Sequence, residues 1–161
     1  MRSLTLVEAA ALLAVAGSVA AAMLPPFIAN LHASRLAEPM DGLTRIATRA
    51  TALAAGRTAS LAYPASVELT PGTVPRGEPA ADPPGTWDHP TWRLLGFRWD
   101  VPHNFSFAFE SENGPSVARF KATAHGDLDG DGVVSTFVVE GHSRDGSEPV
   151  SSPLRMYREI E

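Results

Sequence analysis

The run Leu4-Thr5-Leu6-Val7-Glu8-Ala9-Ala10-Ala11-Leu12-Leu13-Ala14-Val15-Ala16-Gly17-Ser18-Val19-Ala20-Ala21-Ala22-Met23-Leu24 decides how this 161-residue chain is read. From Leu4 to Leu31 the only polar residues are Glu8, a few small ones and Asn30. A stretch of this length crosses a bilayer as a helix. Arg2 precedes it and Arg35 follows, which fits a cytoplasmic amino end. Three readings compete. A secretory signal peptide would be cut near the alanines before Met23. A plain membrane anchor needs only the apolar run. Neither explains Glu8, because a carboxylate in an apolar helix is costly unless it finds a partner. Either Glu8 lies at the headgroup level and stays solvated, or its partner comes from another subunit.

Working outward, Leu36, Met40, Leu43, Ala47, Ala50 and Leu53 recur at three- and four-residue steps, with Glu38, Asp41, Arg45 and Arg49 between them. This pattern predicts an amphipathic helix with one apolar stripe. Pro39 predicts a bend, Gly42 a weak point and Gly56 a C-terminal stop. One long proline-interrupted helix is expected, with two separate helices as the alternative. Residues 63–90 hold most of the prolines and predict an irregular segment, apart from a short strand at Val67-Glu68-Leu69.

The rest reads as strand-rich. Trp92-Arg93-Leu94-Leu95-Gly96-Phe97 leads into a period-two run that places Phe105, Phe107 and Phe109 on one face. Asn113-Gly114 signals a hairpin. Return strands follow at 117–124 and 133–140, with an edge strand at 154–160. The fold class expected is α+β: a long N-terminal hydrophobic helix packed by its C-terminal half on a roughly four-stranded antiparallel sheet. The divisions are a leader 1–3, a hydrophobic helix 4–29, an amphipathic continuation 30–57, a Pro-rich loop region 58–103 and a sheet head 104–161.

Gly126-Asp127-Leu128-Asp129-Gly130-Asp131-Gly132 is the site-like constellation. Asp127, Asp129 and Asp131, with the Val133 carbonyl, resemble the front half of a calcium loop, since hard oxygens suit Ca²⁺. The back half is missing: Val138 stands where a bidentate Glu belongs. The alternative is a solvated Asp/Gly turn. Net charge is −5, and no basic cluster calls for nucleic acid. There is no cysteine, so no disulfide staples the head. His32, His89, His103, His125 and His142 lack metal-ligand spacing, although the ends of neighbouring strands can bring His125 and His142 together. No nucleophile or phosphate-loop motif is present, so no enzyme activity is expected.

Ser3-Leu4-Thr5-Leu6-Val7-Glu8 resembles the processing site of type IV pilins, with Ser3 and Leu4 where that family usually has Gly and Phe. The phrase around Trp92, Leu95-Gly96-Phe97 and Phe105-Ser106-Phe107 is similar to deltaproteobacterial pilin heads. The resemblance implies cleavage between Ser3 and Leu4 by a prepilin peptidase and N-methylation of Leu4. It implies assembly through Leu4, Glu8 and the helix-loosening Pro25. The partners implied are other copies of the chain or other pilins, the pilus assembly machinery and the inner membrane, and the destination is a filament on the bacterial surface. A type II secretion pseudopilin is one alternative. A membrane-anchored or secreted β-rich binding module, in which Glu8 is incidental, is another.

Overall fold

The structure, a computed structural model, describes residues 5–157, and describes the backbone alone at residues 20 and 24–35. The chain divides into two compact units, Met1–Ala37 and Glu38–Glu161.

In the first unit, helix α1 (Leu6–Ala54) begins and continues into the second. The window Leu6–Met23 has a mean hydropathy of 2.0 and 0% of its residues buried. By length and composition it can cross a membrane. Its large side chains Leu6, Val7, Leu12, Leu13 and Val15 are exposed at consecutive and half-turn spacings, so they circle the helix instead of forming one stripe.

The second unit begins with the one-sided stretch of α1. Leu43, Ile46, Ala47, Ala50 and Ala54 are buried, while Asp41, Thr44, Arg45, Thr48 and Arg49 face out. The helix ends where Gly56 adopts φ +73°, a conformation that costs glycine little. A single 3₁₀ turn (Ala59–Leu61) leads to β1 (Val67–Thr70). Helix α2 (Pro90–Leu95) precedes β2 (Phe105–Asn113), β3 (Val117–Gly126), β4 (Ser135–Arg144), β5 (Val150–Ser151) and β6 (Arg155–Tyr157). The antiparallel sheet runs β1-β2-β3-β4-β5, with β6 also paired to β4.

Register explains the aromatic run. Phe107 sits opposite Ala124, and Phe109 opposite Ala122, so large rings alternate with small neighbours across the strands. Gly126 faces Phe105, and a β-carbon there would run into the ring. On the helix side, a β-carbon at Gly42 would collide with the Phe107 ring. Gly42 thus marks a close approach of helix and sheet, and not simply a weak point.

The Pro-rich segment closes the core. Trp87 packs edge-on against Trp92 (5.5 Å) and Phe97 (5.4 Å), and Phe97 against Phe107 (5.1 Å). Buried His103 fastens the segment: Nε2 is 2.8 Å from Asp82 Oδ2, which also accepts Trp87 Nε1–H at 2.7 Å. His103 Nδ1 lies 2.7 Å from the Phe105 carbonyl, which only accepts, so this nitrogen carries a proton. Glu38 accepts the N–H groups of Asn104 (2.9 Å) and Phe105 (2.8 Å).

Three expectations are corrected. The sheet has six strands instead of about four, because short β1, β5 and β6 flank the long ones. The helical residues in the core form an internal stretch inside the second unit, and the hydrophobic window Leu6–Met23 contributes no buried residue. The physical cause is the difference in patterning: a one-sided stripe fits a sheet face, whereas an all-round apolar surface fits a uniformly apolar medium. Trp92–Leu95 also proves helical instead of strand-like. His89 caps α2, accepting from Thr91 N, with Pro90 at the first turn and Gly96 left-handed after the last.

Candidate functional site

Three places carry polar side chains that sequence or geometry singles out. The first is the start of α1. Glu8 Oε2 accepts from Thr5 N at 2.8 Å and Thr5 Oγ1 at 2.9 Å, and Glu8 N donates to Thr5 Oγ1 at 3.3 Å. This is a reciprocal capping box, for which Thr5-Leu6-Val7-Glu8 supplies the S/T-x-x-E spacing. Within its own chain the Glu8 carboxylate thus accepts two bonds from Thr5. Ser3 and Leu4, the expected cleavage pair, lie outside the described residues. Pro25 lies within α1, and its side chain is also outside the described set.

The second place is the β3–β4 loop. One carboxylate oxygen each from Asp127, Asp129 and Asp131 lies within 4.8 Å of the others, and Asp127 is buried while the other two are exposed. Such a triad can chelate a divalent cation. The loop also organises itself. Asp127 Oδ1 accepts from Gly130 N (2.9 Å) and Oδ2 from Gly132 N (3.1 Å). Asp129 accepts from Asp131 N (3.1 Å), and Asp131 from Val133 N (2.6 Å). A carboxylate oxygen has two lone pairs, so each of these bonds leaves a further acceptor site. The donor set therefore suits a hard cation, with Arg76 Nε 3.8 Å from Asp127 Oδ2 as the competing positive charge. Among the described residues, no fourth acid joins the cluster. Val138 is buried, and Glu140 is exposed on β4 in another setting.

That setting is the third place. On the sheet face opposite the phenylalanines, Glu110, Lys121 and Glu140 form one cross-strand row, and Glu112, Arg119 and His142 the next. They line a groove of about 640 Å³, with Val150–Ser152 along one side. Lys121 Nζ bonds Glu110 Oε1 at 3.0 Å. Its size is that of a small-ligand cleft. The sequence signal was available: charged residues alternate with the core-facing residues on all three strands, although which strands pair is not written in that alternation. His125 sits half-buried farther along this face, 3.0 Å from Thr136 Oγ1. Burial, and then the Lys121 charge, hold its ring below the usual histidine range. His125 and His142 are not brought together. His142 pairs with Arg119, six residues from His125 along β3, a separation of about 20 Å at ~3.3 Å per residue.

Comparison with protein-family models, curated proteins and solved structures finds no match. The packing corrects the type IV pilin resemblance, together with the pilin fold and the filament function that followed from it. It implied that the hydrophobic N-terminal helix packs the sheet, whereas the buried helical residues are those of the internal stretch 42–54 of α1. What stands is a helix able to associate with a membrane, and a separate β-sheet unit with its own core.

Proposed function

We propose that this chain is a membrane-associated, β-rich binding module, held by the apolar start of α1 and presenting the sheet unit. The observation that carries this reading is the contrast between the units: an apolar window with none of its residues buried, and a unit whose core is complete without that window. The groove on the charged sheet face is the ligand surface in this reading. No catalytic role is assigned to any residue.

Fractionation of cells expressing the full chain tests the anchor. The protein should remain with membranes through an alkaline carbonate wash, and removal of 6–23 should release a folded soluble head. Recovery of the full chain in the wash, uncut, would overturn the anchor. A mature chain beginning after Met23 would convert the reading to a secreted module.

In the same reading the Asp127, Asp129 and Asp131 carboxylates, with the Val133 carbonyl, take one structural calcium ion. It would neutralise three close negative charges and fasten a loop in a head without disulfides. Calcium at about a hundred times its dissociation constant should stabilise the fold by about 2.7 kcal/mol. Asp129→Asn with Asp131→Asn should remove that gain. Identical melting of wild type and variant across millimolar calcium would overturn the calcium assignment.

A further inference from the structure

The β2–β3 connection holds a dipeptide whose chemistry is not spent on making the turn. Asn113 pairs with Ala118, so four residues intervene, and Gly114 N donates to the Val117 carbonyl at 3.0 Å. The side chain of Asn113 does a separate job. Its Oδ1 accepts from Tyr63 N at 3.1 Å, and its Nδ2 donates to Tyr63 O at 2.8 Å. This two-point clamp fixes the segment after the 3₁₀ turn to the end of the sheet. Tyr63 beneath it is 4% exposed, packs edge-on to Phe120 at 5.1 Å, and its buried hydroxyl has no hydrogen-bond partner among the described residues. Burial alone pushes this phenol up to about 12.

We propose that Asn113 is a self-modification site whose conversion to aspartate or isoaspartate unlatches Tyr63. The Gly114 backbone nitrogen attacks the Asn113 side-chain carbonyl carbon, the C–N bond of the carboxamide breaks, and ammonia leaves. Solvent water then opens the resulting succinimide at either carbonyl. The net change is one amide and one water to one acid and one ammonia. Of the chain's three asparagines, Asn30, Asn104 and Asn113, only Asn113 precedes glycine, which has no side chain to obstruct the attack. Asn113 is also exposed, so water reaches the product. The clamp and the Gly114 bond must open first, which places the reaction under local opening of the turn. The product cannot replace the lost donor: an ionised carboxylate only accepts, and here it would face the Tyr63 carbonyl at the old amide distance.

The test incubates the full chain in detergent micelles at mildly alkaline pH, alongside the same chain unfolded in urea. Peptide mass spectrometry follows residues 99–119, with Asn104 as the internal control. Asn113 should gain the mass of an amide-to-acid change in both samples, at least about tenfold more slowly when folded, while Asn104 does not. In the converted protein, and in Asn113→Asp made directly, Tyr63 should ionise nearer the usual tyrosine value of about 10. No conversion of the folded chain while the unfolded chain converts fully would overturn the proposal. Conversion with Tyr63 ionisation unchanged would overturn it equally. If Asn113→Asp fails to fold, the comparison within converting wild-type protein still decides.

Discussion

Two glycines in one helix show how differently the halves of this molecule are constrained. Beyond its own helix backbone, Gly17 has no described atom within 4 Å of where a β-carbon would stand. Gly42, twenty-five residues later in α1, lies against the Phe107 ring, with Trp99 Cζ3 3.3 Å from its missing β-carbon. The first half satisfies its polar groups locally, as in the Thr5–Glu8 box and the Ser18 Oγ bond to Ala14 O at 2.8 Å. The second half satisfies them across the chain: Glu38 reaches Asn104 and Phe105, and Asp145 reaches Ala59 N. Local satisfaction leaves a surface free to meet an apolar medium. Long-range satisfaction leaves a unit that stands or falls as a whole.

The largest expected effect tests that cooperativity. Phe107→Ala removes a fully buried ring that touches Phe97 and Trp99 and caps the Gly42 approach. Urea unfolding of the full chain in micelles, followed by tryptophan fluorescence, should show a loss of about 3–5 kcal/mol. Leu13→Ala, in the apolar window, should shift the same curve by less than ~0.5 kcal/mol. Equal losses from the two variants would break the division into units.

The two glutamates give the next contrast. The Glu38 side chain is 14% exposed and accepts two backbone N–H groups and the Asn104 amide. Glu38→Ala orphans those donors and should cost the head about 2–4 kcal/mol. Glu8→Ala removes an exposed cap and should leave head unfolding unchanged, because both its partners lie in Thr5.

These residues also mark what could be read in advance. The alternation of Phe105, Phe107 and Phe109 announced a sheet face because strand periodicity is local. Thr5-Leu6-Val7-Glu8 spells a capping box just as locally, although the cost of a carboxylate in an apolar helix drew attention to partners farther away. His89-Pro90 and Gly96 are start and stop signals for α2, passed over because Trp92–Phe97 runs on into the period-two stretch that follows. Gly42 could not be read at all. Its role depends on where Phe107 arrives, sixty-five residues away, and no local pattern encodes that approach. The β5 and β6 pairings are similarly hidden, since two- and three-residue strands carry no period. The Asp loop was legible as an acidic cluster, but its partner Arg76 comes from the Pro-rich segment.

A smaller effect follows from His125. The folded state holds its ring below the usual value near 6.5, so between that value and the lowered one the unfolded chain binds more protons. Its contribution to stability is therefore complete above the ordinary histidine range and is lost as pH falls through the window below it. Melting temperature from pH 7.5 to 5 should decline for wild type, and His125→Gln should remove part of the decline. A variant that tracks wild type at every pH would relieve His125 of that role. The window Leu6–Met23 contains no histidine, so the same titration should leave membrane retention unaltered.

The smallest expected effect returns to the first glycine. With open space around it, Gly17→Ala trades a flexible backbone for the best helix former, a gain of up to about 1 kcal/mol for the isolated helix. Far-ultraviolet circular dichroism of a 5–37 peptide in trifluoroethanol should show equal or greater helix content for the variant. Head unfolding of the full chain should not move. A loss of helix content would mean that Gly17 is needed within the single helix. A loss of membrane retention with helix content intact would instead show a close approach there, made by something the lone chain does not contain. Gly17 would then resemble Gly42, with its neighbour supplied from outside the chain, and the contrast between the two halves would narrow to a difference in where each finds its packing partner.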